Sequence, residues 1–138
     1  MKIFPLNIIK SIKNKTENIG PVLFYGNEGS LISGLIKSFY NSLQKKIELS
    51  ETKYFDYKNN KEESLIEILS SPTLFAKKNF VVIRNPNEKT LIDLKKIKII
   101  KDIVIINGEN LNNKSKLRSF FDNHKDFISV PCYKLDKN

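Results

Sequence analysis

The chain has 138 residues, 40% of them hydrophobic, and a formal net charge of +9. That length and apolar content suit one globular domain with its own core. A single cysteine excludes an internal disulfide framework and a multi-cysteine zinc site; no apolar run approaches the roughly 18 residues of a membrane span, and the N-terminus lacks the apolar stretch of a secretory signal, so no membrane is expected and the cytoplasm is the expected compartment.

In chain order, residues 5–14 (PLNIIKSIKN) open with a proline, which suits a first helical turn. Leu6, Ile9 and Ile12 follow at helical spacing, and Gly20-Pro21 ends the segment. Residues 22–25 form a continuous apolar run, the pattern of a strand buried on both faces. From Ser30, a candidate N-cap, apolar residues recur at Leu31, Ile32, Leu35, Ile36, Phe39, Tyr40 and Leu43, which predicts an amphipathic helix.

TKYFDYK (52–58) reads as a strand and EESLIEILSS (62–71) as a short helix that SPTLF (71–75) breaks. NFVVIRN (79–85) is a buried strand, TLIDLKKIK (90–98) a helix and DIVIING (102–108) another buried strand. NNKSKLRSFFDNH (112–124) is helical with Leu117, Phe120 and Phe121 as its apolar face, and FISVPCY (127–133) is the last strand. Strands alternating with helices predict an α/β fold: a five-stranded parallel sheet joined by right-handed crossovers, covered on both faces, in one domain over 1–138.

The glycine turn YGNEGSLIS (25–33) stands where phosphate-binding proteins hold a phosphate. A phosphate loop reads G-x-x-x-x-G-K-[ST], with the amides cradling phosphate, the lysine reaching its outer oxygens and the hydroxyl holding Mg²⁺. Counted from Gly26, the second glycine position is Leu31 and the lysine position is Ile32; only Ser33 fits. Glu28 adds a negative charge where phosphate would lie. The strand 79–85 ends in Arg84 and Asn85, where an ATPase needs a carboxylate. No cofactor and no catalysis are expected. His124 reads as a surface residue at a helix end rather than a metal ligand, and Cys132 as a small buried hydrophobe.

The order of these pieces resembles the delta subunit of the bacterial DNA polymerase III clamp loader. IFPLNIIKSI followed by GPVLFYGNEGSLISGLIKSF resembles the start of that family. SPTLFAKKNFVVIRN resembles its Ser-x-x-Leu-Phe segment running into a strand, INGENLNNKSKLRSFF its lysine-rich turn and following helix, and FISVPCY the strand that closes its first domain. The resemblance covers essentially the whole chain. It implies a P-loop NTPase-type, AAA+-like three-layer sandwich with a degenerate phosphate loop and the strand order 5-1-4-3-2.

The resemblance also implies a function. The family's first domain binds the sliding clamp (the beta subunit) and opens it during DNA replication, without hydrolysing ATP, as a component of a DNA-directed DNA polymerase, a nucleotidyltransferase complex. Other clamp-loader subunits are implied as partners, and DNA indirectly or weakly. The family's clamp anchor falls on Leu74 and Phe75, with Ser71 beginning the turn. The family's helical lid and collar domains have no counterpart in residues 1–138. The delta-prime and ATPase subunits match less well, because their zinc-binding cysteines and Ser-Arg-Cys motif are missing.

The residues alone leave two alternatives at Leu74 and Phe75: an exposed anchor, or core side chains beneath the sheet. A small basic DNA-binding domain is the alternative function. Against it, arginine occurs only at Arg84 and Arg118, and the lysines are spread along the chain without arginine–aromatic interleaving, as on a solvated surface. A divergent nucleotide hydrolase is the third reading.

Overall fold

The structure is a computed structural model that describes residues 1–14, 19–59, 64–70, 78–97 and 100–133, with backbone only at 12–14 and 70. Among the described residues, ten elements follow one another: α1 (Pro5–Asn14), β1 (Val22–Gly26), α2 (Gly29–Gln44), β2 (Leu49–Asp56), α3 (Leu65–Ser70), β3 (Lys78–Arg84), α4 (Glu88–Lys96), β4 (Ile103–Glu109), α5 (Lys116–Asn123) and β5 (Ile128–Pro131). The strands pair in the order β2-β3-β4-β1-β5, all parallel, which is the expected 5-1-4-3-2 read from the other edge.

β1 is buried along its whole length between β4 and β5, with Val22 beside Ile105 on one side and Ile128 on the other. Alternation along the strand then divides its side chains between two cores. Val22 and Phe24 face one side, with Phe80, Val82, Ile105 and Val130, and meet Ile8 of α1 and Ile32, Phe39 and Leu43 of α2. Leu23 and Tyr25 face the other, with Val81, Ile83, Val104 and Ile106, and meet Leu65 of α3, Leu94 of α4 and Leu117 and Phe121 of α5. Each such aliphatic or aromatic side chain contributes about 1.5–3 kcal/mol when fully buried.

Local chemistry sets the element ends. The Asn87 side chain accepts from the Lys89 amide (2.8 Å) while Thr90 Oγ1 accepts from the Asn87 amide (3.0 Å), so α4 starts at Glu88, two residues before the expected 90. In the segment read as helix from 112, the Ser115 amide donates to the Asn112 carbonyl (2.9 Å), and Ser115 caps α5, which begins at Lys116.

Two expectations are corrected. α1 does not present Leu6 to the core: Leu6 is 90% exposed, and Ile8 is the fully buried residue. The Ile3 amide donates to the Ser129 carbonyl (2.8 Å) just upstream, which ties the leading residues to β5. The helix α2 begins at Gly29, so Ser30 lies within its first turn and Glu28 holds the N-cap position, with no side-chain cap bond.

Candidate functional site

The turn between β1 and α2 is short, and main chain clasps it from both sides. After β5, the Cys132 amide donates to the Tyr25 carbonyl (2.6 Å), and the Cys132 carbonyl accepts from the Glu28 amide (3.3 Å). After β4, the Asn110 amide donates to the Gly26 carbonyl (2.7 Å). Gly26 has φ +141°, and a Cβ there would lie 1.9 Å from the Cys132 carbonyl oxygen, so only glycine fits. The Glu28 amide, one of those a phosphate would need, therefore bonds to protein instead.

The positive end of α2 has an anion of its own. A Cβ built on Gly29 would lie 2.3 Å from Glu109 Oε1, 2.6 Å from Cδ and 2.8 Å from Oε2, so the carboxylate rests directly over the first residue of the helix. A negative charge is favourable there because the unpaired amides and the helix dipole leave a partial positive charge. The depression around it is open and lined by Asn27, Glu28, Gly29, Ser30, Ser33 and Glu109: two carboxylates and no basic side chain. Ser33 does line it, as the spacing suggested. Ile32, at the lysine position, is fully buried against the sheet.

Beside this loop, the Arg118 guanidinium lies 4.2 Å from the centre of the buried Tyr25 ring. Its Nη1 donates to the Tyr133 hydroxyl (3.0 Å), and its Nε is 3.9 Å from Asp122. Asp122 Oδ1 accepts from the Ser129 hydroxyl (2.5 Å) and, more weakly, from the Tyr25 phenol (3.4 Å). Burial first, and the Asp122 charge second, raise the Tyr25 phenol above its ordinary range. These bonds fasten α5 to β1 and β5. Cys132 is fully buried, with its thiol pushed up to about 11 by burial, which leaves almost no nucleophilic thiolate at neutral pH. His124 ends α5, accepts from the Asp126 amide at Nδ1 (3.0 Å) and packs on Phe127.

Ser71, Leu74 and Phe75 lie outside the described residues; α3 ends at Ser70 and β3 opens at Lys78. The feature that sequence reasoning missed is Glu109. A carboxylate was sought only at the end of β3, where Arg84 and Asn85 stand instead, whereas β4 is the direct neighbour of β1, with Glu109 registered against Gly26. The expected strand order already contained that adjacency.

Fold and loop together define the class: an α/β domain with helices flanking a five-stranded parallel sheet, its β1–α2 turn clasped by main chain. No protein-family profile matches the sequence, and neither does any curated protein. Among solved structures, the fold is shared with the Bacillus subtilis DNA clamp loader delta protein, at a TM-score of 0.64 and 12% identity over 93% of this chain. The chain spans 42% of the length of that protein, and at such identity the likeness is one of fold.

Proposed function

We propose that this chain acts in clamp loading as a delta-type domain that grips a sliding clamp and helps to open it, without hydrolysing ATP. The observation that carries this reading is a five-stranded parallel α/β fold, shared with a clamp loader delta protein, whose β1–α2 turn has the Glu109 carboxylate over its helix start and is tied off by Cys132. A domain of this kind works through its surfaces. Leu74 and Phe75 are the proposed anchor and enter an apolar pocket on the clamp, with Ser71 starting the turn that presents them. Other loader subunits are the proposed further partners, within a polymerase holoenzyme.

The test is a binding assay with the cognate clamp that compares the native chain with Leu74→Ala/Phe75→Ala. A loss of about 10²-fold or more is expected, the size of an interface hot spot. Added salt should weaken clamp binding only slightly. Binding that instead follows DNA phosphates falls steeply with salt, and that outcome would favour the basic DNA-binding reading, which rests on the net charge of +9.

A further inference from the structure

The N-termini of α4 and α5 open onto one groove of about 630 Å³. Its floor is apolar: Leu117 is 3% exposed, and Leu91 and Leu111 are half-buried beside it. On its lip Ile92 is 53% exposed, high for a large aliphatic side chain. The polar side chains of the lining are engaged in turns. Asn87 Oδ1 accepts from the Lys89 amide (2.8 Å), Asn112 Oδ1 from the Lys114 amide (2.8 Å) and Ser115 Oγ from the Arg118 amide (3.4 Å). An incoming group therefore meets an apolar floor and charge.

That charge is positive. Lys95, Lys114 and Lys116 are exposed around the groove, against one carboxylate in the lining, Glu88. Two helix N-termini add their positive ends, each equivalent to about half a charge. A small polar ligand would leave the floor wet, and a phosphate backbone would gain nothing from Leu91, Leu111 or Ile92. A second copy of the chain is disfavoured because each carries a net charge of +9. Apolar side chains on an acidic scaffold satisfy both halves of the groove.

We propose that the α4–α5 groove is a docking site for an acidic amphipathic helix of another protein, its apolar face on Leu91, Ile92, Leu111 and Leu117 and its carboxylates on the lysines. The groove lies at the C-terminal end of the sheet, where β3 leads into α4 and β4 into α5. This site is argued from its own lining and does not rest on the clamp reading.

The probes are a panel of short synthetic helical peptides with two apolar residues, Leu or Phe, one turn apart among acidic ones. Controls are the same peptides with serine at the apolar positions, and a single-stranded oligonucleotide of equal charge. Nitrogen-15 NMR of the native chain should show shifts at residues 91–95 and 111–117 with the acidic–apolar peptides. Ile92→Glu should weaken binding at least tenfold while leaving the urea midpoint unchanged, since Ile92 is exposed. The proposal is overturned if no peptide of the panel shifts these amides, if the serine peptides or the oligonucleotide bind there equally well, or if Ile92→Glu binds like the native chain.

Discussion

The carboxylate of Glu109 rests over the backbone of Gly29, at the positive end of α2. Each residue limits the other. Glu109→Ala should cost about 0.3–1 kcal/mol, the usual size of a charge at a helix N-terminus. Gly29→Ala alone should gain less than the roughly 1 kcal/mol of a helical Gly→Ala change, because the new methyl displaces the carboxylate. In the Glu109→Ala background it should gain more than in the native chain, up to about 1 kcal/mol. A double-mutant cycle by urea denaturation reads the coupling; additive effects would mean that the two groups do not meet in solution.

The same loop should stay closed to nucleotide when Glu109 is removed. Ile32 is buried at the lysine position, and the Glu28 amide is held by Cys132. Calorimetric titration of Glu109→Gln with Mg-ATP at millimolar nucleotide should show no saturable heat. A micromolar constant would contradict this account of the loop.

Gly26 and Gly34 make a paired comparison. Gly26→Ala requires φ +141° with a methyl 1.9 Å from a backbone oxygen, and should cost on the order of 3 kcal/mol or more. Gly34 lies within α2, and a methyl added there would have nothing within 4 Å, so Gly34→Ala should stabilise by up to about 1 kcal/mol. Opposite shifts of the urea midpoint are expected.

Cys132 should resist a thiol reagent in the folded chain at pH 8 and react promptly in denaturant. Burial raises its folded thiol to about 11, from an ordinary value near 9. For a group raised on folding, the stabilisation is complete below the unfolded value and is lost as pH climbs through the folded one. Stability should therefore fall between about pH 9 and about pH 11, and Cys132→Ala should reduce that slope.

Leu74→Ala/Phe75→Ala separates anchor from core in one thermal melt. As an anchor, the pair leaves the melting temperature almost unchanged while clamp binding drops. As core residues, the pair leaves a cavity that costs several kcal/mol, and the melting temperature falls with every activity.

The parts of the fold legible in the sequence are those with the least choice. Residues 22–25 and 103–106 are apolar at every position and belong inside a parallel sheet in any arrangement, and they pair there. α1 had a choice. Leu6, Ile8, Ile9 and Ile12 permit more than one inward face, and packing against a sheet built from residues distant in sequence buries Ile8. The missing chemistry of the phosphate loop was legible in its spacing. What fills it was not, because Glu109 reaches Gly29 through strand pairing across roughly 80 residues rather than through any local pattern.

The link between Lys2 and Ser129 has a consequence for assembly. With Met1 to Ile3 bonded to β5 at Ser129, that border of the sheet is engaged there, and among the described residues β2 is the other border, carrying Glu51 and Lys53. Growth of a fibre by strand addition needs two receptive borders on every copy, one to join and one to be joined. Met1 to Ile3 therefore act as a guard on the β5 border, where a strand from another chain would first have to displace them.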